Sequence, residues 1–238
     1  MKRIASMLLA ALLLLTSCAF ADGNVSIGPD TPDVEPGDII VFGNYDQNNS
    51  STDGKEPIEW VVLDVDGDKA LVMTLYGIEN RQFHTNSGGQ TWATSSLRTW
   101  LNGTFLKTAF TVDERDAIAY TEVDEGINQC DGAHPPSRLG SSTRDQIYIL
   151  SYAEAARYLK DRSIRLCIPT SHTVAKGGNK SDSAHLNGQK TCWYWLRSPA
   201  YKNNACCVDW DGTYATCYIH HSYGVVRPCM WVYLDMLN

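Results

Sequence analysis

The side chains best suited to chemistry are concentrated in residues 200–223, which contain three cysteines and the adjacent pair His220 and His221. Cysteine and histidine bind zinc, and together they can form a nucleophile and its base. The spacing favours neither use. Adjacent histidines on a strand point to opposite faces, so they do not readily hold one ion, and no third residue is placed to orient a catalytic histidine. We therefore expect no metal, no cofactor and no catalytic residue, and interpret both histidines as exposed contact residues.

The same segment has the composition of a recognition surface. It contains four Tyr, one Trp and several Asn and Asp, but no Leu, Met, Glu or Gln. A buried strand would need more aliphatic residues, whereas Tyr and Trp provide large contact areas at low entropic cost. Strand alternation indicates which side chains point outward. The predicted ligand-contacting residues are Tyr201, Asn203, Asp209, Trp210, Asp211, Tyr214, Thr216, Tyr218, His220, Ser222 and Tyr223.

The charge of the chain argues against a nucleic-acid partner. The formal net charge is -7, and it becomes -9 without residues 1–21, which contain two basic and no acidic residues. A nucleic-acid-binding surface would instead need a basic stripe. The ligand that we expect is a protein or a cell-surface glycan.

Residues 1–21 have the pattern of a secretory signal peptide. Two basic residues precede an apolar run from Ile4 to Leu15, which is too short to span a bilayer comfortably. Two cleavage sites fit. Leu15-Thr-Ser-Cys18 is a lipobox that would leave Cys18 lipidated, whereas Ala19-Phe-Ala21 suits an ordinary signal peptidase. Both predict export, either as a cell-surface lipoprotein or as a secreted protein, with the lipid on Cys18 as the only membrane contact.

The cysteine count limits the disulfides. Seven cysteines remain after Cys18, and an odd number in an exported chain cannot all pair. Cys206 and Cys207 are neighbours, which rarely bridge each other. We expect at most one or two disulfides.

Local patterns predict the elements that position the recognition segment. Residues 22–36 form a flexible stalk rich in Gly, Pro and Asp, and residues 37–238 form one domain. A strand is predicted at Asp38–Tyr45. Ile58–Leu63 and Ala70–Thr74 form a hairpin with its turn at Asp66-Gly67.

Capping signals predict the helices that follow. Ser95 or Ser96 begins a helix through Leu97 and Leu101, and Thr111–Glu114 and Ser151–Glu154 are capping boxes. Asp145–Leu150 is predicted as a strand, and residues 124–144 and 169–190 as long polar loops. This order of strands and helices indicates an α+β domain.

Several short motifs then resemble a large family of exported bacterial domains of unknown function. That family is similar to the formylglycine-generating-enzyme (sulfatase-modifying factor) branch of the C-type-lectin-like fold. The resemblance implies an α+β domain whose first and last strands lie side by side, with two helices beneath and a loop-rich upper face. The motifs are Asp38–Tyr45, Pro57–Leu63, Ser96–Asn102, Ala109–Arg115, Ile147–Ser151, Trp195–Pro199 and Gly224–Pro228.

Other features restrict what the resemblance implies. Formylglycine-generating enzymes use two cysteines four residues apart, a spacing absent among Cys206, Cys207 and Cys217. We therefore do not infer their copper-dependent oxidation, although an oxidoreductase of this type and a structural cell-envelope module remain alternatives. Arg197 and Arg227, within the last two motifs, are expected to bond loop carbonyls, and Trp193 and Trp195 to pack in the core.

The recognition segment also resembles the variable region of proteins that bacterial and phage retroelements diversify. In those proteins, randomised adenines turn Asn codons into a restricted set that includes Tyr, His, Asp, Ser and Cys. Residues 200–223 are drawn largely from this set, with Lys202 and Trp210 outside it. The resemblance implies a non-catalytic binding protein with a variable C-terminal surface.

Overall fold

The computed structural model describes residues 33–50, 52–86, 91–126 and 140–237. The predicted signal peptide, Cys18 and most of the predicted stalk lie outside these ranges. Within them, no helix has the length and apolar character that crossing a bilayer requires.

The domain combines mostly antiparallel sheets with short helices, so the predicted α+β class is confirmed. The strands are β1 (Ile39–Tyr45), β2 (Glu56–Asp66), β3 (Lys69–Thr74), β4 (Glu79–Asn80), β5 (Thr121–Val123), β6 (Thr143–Asp145), β7 (His185–Leu186), β8 (Gln189–Lys190), β9 (Tyr194–Pro199), β10 (Asn204–Val208), β11 (Tyr214–Tyr218), β12 (Val225–Val226) and β13 (Cys229–Tyr233). The α-helices are α1 (Ser96–Trp100), α2 (Leu106–Ala109), α3 (Val112–Asp116), α4 (Tyr152–Tyr158) and α5 (Ser171–Ala175), and a π-helical turn (Leu101–Phe105) joins α1 to α2.

Two sheets make up most of the framework. The first has the order β1-β2-β3-β13, and the second has the order β11-β10-β9-β12-β4. The first and last strands therefore share a sheet but lie at its opposite edges, so the expectation that they lie side by side was wrong. The reason is the β2–β3 hairpin, whose tight turn at Gly67 places both of its strands between them.

The predicted helix starts are confirmed. The Ser95 side chain accepts a hydrogen bond from the Arg98 amide and begins α1. Thr111 and Glu114 form a reciprocal capping box on α3, and Ser151 and Glu154 form another on α4. Each box satisfies amide groups that a helix start otherwise leaves without partners.

Residues 146–150 do not form the predicted strand, because the ladder with β5 ends at Asp145. The segment is buried, but other groups satisfy its backbone. The Asn102 carboxamide oxygen accepts from the amides of Gln146 and Ile147, at 2.9 and 3.1 Å, and Tyr148 forms an isolated bridge with Cys229. Buried amides need hydrogen-bond partners, and here the Asn102 side chain takes the place that a neighbouring strand would otherwise fill.

The predicted loop 169–190 contains regular structure. Thr170 caps α5, and β7 and β8 form a small hairpin around Asn187 and Gly188. These two residues have φ of 52° and 77°, as an Asn-Gly turn of this hairpin type requires. The other predicted loop is 124–144. Its residues 127–139 lie outside the described residues, and its last two residues belong to β6.

The two arginine motifs connect the sheets to the rest of the domain, as expected. Arg197 donates to the carbonyls of Asp124 and Ile149, and Arg227 donates to those of Thr74 and Leu75. Both arginines are buried. Trp193 and Trp195 are also buried, with ring centroids 4.8 Å apart, so their predicted place in the core is confirmed.

Candidate ligand-binding surface

The predicted recognition segment forms an antiparallel hairpin at the edge of the second sheet. Asn204 pairs with Tyr218 at one end of β10–β11, and Val208 pairs with Tyr214 at the other. The turn between the strands contains Gly212, whose φ of 82° disfavours a residue with a side chain. Among the described residues, β11 pairs only with β10, so its outer edge is open.

All eleven predicted contact residues reach solvent. The exposed ones include four aromatic residues, Tyr201, Trp210, Tyr218 and Tyr223, whose exposed fractions are 40–44%. Ser222 is also exposed, and the half-buried residues are Asn203, Asp209, Asp211, Tyr214, Thr216 and His220. The structure divides the set, since each strand of the hairpin has five residues and its two ends are therefore roughly 13 Å apart.

The end of the hairpin near Tyr218 carries an aromatic cluster, which we define as Tyr218, His220, His221 and Tyr223. Ring centroids of Tyr218 and His220 are 4.9 Å apart, and those of His221 and Tyr223 are 4.8 Å apart. Trp193 lies beneath the cluster, with its ring centroid 6.1 Å from that of Tyr223. These distances are typical of aromatic contacts, so the rings support one another while remaining accessible.

Side-chain amides hold the backbone of this cluster in place. Gln82 Nε2 donates to the His220 carbonyl at 2.6 Å, and Asn80 Nδ2 donates to the Ser222 carbonyl at 2.9 Å. Asn179 Nδ2 donates to the Tyr223 carbonyl at 2.9 Å. Asn80 and Gln82 lie on one segment and Asn179 on a distant one, and together they fix a non-helical segment without a regular ladder.

The other end of the hairpin is docked on the segment that follows α4. Asp211 forms an ion pair with Arg162, and Arg165 Nε donates to the Gly212 carbonyl at 2.6 Å. The Tyr214 ring packs against that of Tyr152, at 4.6 Å between centroids, and against the Arg165 guanidinium. Asp211 and Tyr214 therefore stabilise the hairpin, while Trp210 projects beside them.

A depression of about 300 Å³, lined mainly by polar residues, adjoins the aromatic cluster at Ser222. Arg81 lies in its wall, with its guanidinium stacked 4.3 Å from the Trp100 ring centroid. A second open depression continues from it through Thr85 and Ser96 to His84. Sequence reasoning missed these residues, because no spacing or composition in the chain connects residues 80–85 with the hairpin. They are brought together by the pairing of β4 with β12 and by the hydrogen bonds from Asn80 and Gln82 to the carbonyls of Ser222 and His220.

Two titratable groups at this surface have pKa values shifted in the direction that favours their neutral forms. Burial lowers the pKa of His84, and the neighbouring His220 adds to that effect. His84 Nδ1 accepts a hydrogen bond from the Ser96 amide at 3.1 Å, which requires that nitrogen to be unprotonated. Burial raises the pKa of Asp209 at the other end of the hairpin. The arrangement suits stacking and hydrogen bonding to a ligand.

Comparison with known families identifies the type of domain. The model of a family described as “Domain of unknown function (DUF6273)” matches residues 67–234, more than half of the 238 residues. The chain belongs to the DUF6273 family. Membership of a family of domains of unknown function, as expected from the motifs, is therefore confirmed. No curated protein and no solved structure matches the chain significantly.

The match to the DUF6273 family begins in the β2–β3 turn and ends just after β13. It therefore includes the β10–β11 hairpin, the aromatic cluster and both arginine motifs. β1 and β2 precede the matched region, although they complete the first sheet. The candidate surface thus lies within the part of the chain that defines the family.

The cysteines of the DUF6273 domain have different environments. Cys206 is disulfide-bonded, whereas Cys167, Cys192, Cys207, Cys217 and Cys229 have free thiols. The Sγ atoms of Cys207 and Cys217 are 3.0 Å apart. Sequence reasoning missed this proximity, although the Asp211-Gly212 turn between the two cysteines was a usable hairpin signal. No group of three or more metal-ligating side chains occurs in the described ranges.

Proposed function

We propose that this DUF6273 protein is a non-catalytic ligand-binding protein that is exported and displayed outside the cytoplasmic membrane. Its ligand is a protein or a cell-surface glycan, which contacts the aromatic cluster. The observation that carries the proposal is the cluster itself. Two exposed tyrosines and two half-buried histidines lie side by side on a backbone that the amides of Asn80, Gln82 and Asn179 hold.

The energetics of binding support this use of the cluster. Aromatic residues at the centre of an interface commonly contribute about 2 kcal/mol or more each. Binding also has an entropic cost for every loop and side chain that must be ordered. Because the backbone at His220, Ser222 and Tyr223 is already hydrogen-bonded, that cost is reduced here.

The frame is proposed to be the C-type-lectin-like fold of the formylglycine-generating-enzyme type. The strands β9 and β12, which overlap the two arginine motifs, lie side by side, and this supports the proposal. They pair in parallel through Tyr194 and Val225. The placement of β1 and β13 at opposite sheet edges is a departure from the expected arrangement. Superposition of an experimental structure on such domains tests the proposal, and a different strand order in the second sheet would refute it.

Retroelement diversification of residues 200–223 is a further part of the proposal. Burial predicts which positions tolerate it. Variation between isolates should fall on the exposed and half-buried residues and spare the buried Ala205, Cys206, Cys207, Val208 and Ile219. Sequencing the locus in many isolates tests this, together with a search for an adjacent reverse transcriptase and template repeat. An invariant segment would favour the structural cell-envelope module instead.

Export and anchoring are tested at the mature N-terminus. Mass spectrometry of the protein from its native host should detect diacylglyceryl-modified Cys18 for a lipoprotein, or a free N-terminus at Asp22 for a secreted form. An unprocessed Met1 in the mature protein would contradict both.

Binding is tested with labelled protein on an array of bacterial and mammalian cell-surface glycans and on intact cells. Replacing Tyr218 and Tyr223 together by Ala should abolish binding. Tyr120→Ala provides the control, because Tyr120 is also exposed but lies outside the recognition segment. Protease or glycosidase treatment of the cells then distinguishes a protein ligand from a glycan. Unchanged binding by the double variant would rule out the aromatic cluster as the contact surface.

A further inference from the structure

The β10–β11 hairpin contains a pair of thiols that its binding role does not use. Cys207 lies on β10 opposite Ala215, and Cys217 lies on β11 opposite Ala205. The two cysteines are therefore diagonal neighbours on one face of the hairpin, and their sulfurs are 3.0 Å apart. A disulfide bond is about 2.05 Å long, so an approach of about 1 Å would bring them to bonding distance.

The two thiols differ in their access to solvent. Cys207 is buried, whereas Cys217 is half-buried on the open edge strand. The hydrogen bond with Cys217 and burial raise the pKa of Cys207. An oxidant in solution therefore reaches Cys217 first, and Cys207 is placed to react with whatever forms there.

We propose that Cys207 and Cys217 are a redox-active pair that closes to a cross-strand disulfide when the protein meets a disulfide oxidant. The Cys217 thiolate attacks a disulfide RS–SR, which forms a mixed disulfide and releases one RS⁻. Cys207 then attacks the Cys217 sulfur, which forms the intramolecular bond and releases the second RS⁻. The two thiol protons pass to the two leaving thiolates, and the oxidant is reduced to two thiols.

The other cysteines provide a contrast within the same molecule. Cys206 is adjacent to Cys207, but neighbouring residues on a strand point to opposite faces, so its disulfide does not compete for Cys217. Cys167 and Cys192 are also close together, since the Cys192 thiol donates to the Cys167 carbonyl at 3.4 Å. Both are buried, so an oxidant cannot reach them while the domain is folded.

The consequence of closure concerns the edge strand. In the described residues, β11 is held by β10 alone within its sheet, and it carries Tyr214, Thr216 and Tyr218. A covalent link between Cys207 and Cys217 would tie it to the sheet. Oxidation should therefore slow amide exchange in β11. This inference is independent of the ligand and of whether the aromatic cluster binds one.

The test uses the full chain, reduced mildly under native conditions and then treated with oxidised glutathione. Remaining thiols are alkylated, and the protein is cleaved before Asp209 and Asp211. This cleavage places Cys207 and Cys217 on different peptides. The expected result is that the two peptides remain joined until a reductant is added, and tandem mass spectrometry of the wild-type link should locate the bond at Cys207 and Cys217.

Variants check the assignment. Cys207→Ser and Cys217→Ser should each abolish the link, whereas Cys229→Ala should retain it, although Cys229 is on the same peptide as Cys217. If a variant fails to fold, the fragment spectrum of the wild-type link still shows which two cysteines are joined. A stable glutathione adduct on Cys217, a bond to another cysteine, or equally fast reaction of Cys167 and Cys192 would overturn the proposal.

Discussion

Arg197 and Glu154 form a two-point ion pair that joins strand β9 to the start of helix α4. Arg197 Nη2 lies 2.7 Å from Glu154 Oε1, and Nη1 contacts Oε2. The same carboxylate accepts the Ser151 amide at 2.8 Å and so closes the capping box of α4. The Glu154 side chain therefore both caps α4 and neutralises the buried Arg197. In this way the local capping signal is connected to the packing of the second sheet.

Removing the charge of Glu154 is expected to destabilise the protein more than the loss of a cap does. Glu154→Gln leaves a capping oxygen but deprives the buried Arg197 of its nearest counter-charge. Breaking a buried pair costs about 3–5 kcal/mol, and the partial exposure of Glu154 should lower this to about 2 kcal/mol.

Urea unfolding measures the loss of stability in Glu154→Gln. Glu114→Gln, in the equivalent box on α3, is the control and should change stability by less than about 1 kcal/mol. Equal losses would indicate that the ion pair contributes nothing beyond capping.

The tyrosines of the hairpin are expected to separate into binding and structural residues. Tyr214→Ala removes a ring packed on Tyr152 and Arg165, so the unfolding free energy should fall by about 2 kcal/mol. Tyr218→Ala and Tyr223→Ala remove exposed rings and should each change it by about 0.5 kcal/mol or less. Thermal and urea unfolding of the three variants give the comparison. Similar destabilisation by all three would mean that the aromatic cluster is part of the core.

The elements that could be predicted from the sequence are those whose signals lie within a few residues. Ser95, Thr111 and Ser151 begin helices because the capping group and the amide that it satisfies are three residues apart. The β2–β3 turn similarly needs only the local Asp66-Gly67 pair.

Long-range contacts could not be predicted in this way. The strand predicted at 145–150 failed because Asn102, more than 40 residues earlier, satisfies its amides. The sequence predicts the recognition segment as one surface, but its far end is docked on Arg162 through Asp211, at the opposite end of the hairpin from the aromatic cluster. Neither contact has a counterpart in local periodicity, since each depends on how distant elements pack.

Acidic pH is expected to weaken the protein through His84. Burial and His220 depress its pKa in the folded state below the usual value of 6.5. The unfolded state therefore binds the proton first, so stability is fully present above about pH 6.5 and is lost as the pH falls through the depressed folded pKa. Protonation also removes the acceptor for the Ser96 amide.

Urea unfolding at pH 7.5 and 5.0 measures this effect. The wild type should lose more stability between these pH values than His84→Gln does. His185→Gln, at an exposed position, should behave like the wild type. If the wild type and His84→Gln had the same pH dependence of the unfolding free energy, His84 would be excluded as the source of the acid destabilisation.

Two turn glycines provide a matched pair for the docking of the hairpin. Gly188 and Gly212 have φ of 77° and 82°, so alanine at either position is strained by about 1 kcal/mol. A Cβ on Gly188 would meet no atom within 4 Å among the described residues, whereas a Cβ on Gly212 would collide with the Arg162 backbone. Gly212→Ala must therefore also displace the turn from residues 162–165. We expect it to cost about 2 kcal/mol more than Gly188→Ala in urea unfolding and to increase amide exchange at Tyr214. Equal costs would show that the turn does not depend on this contact.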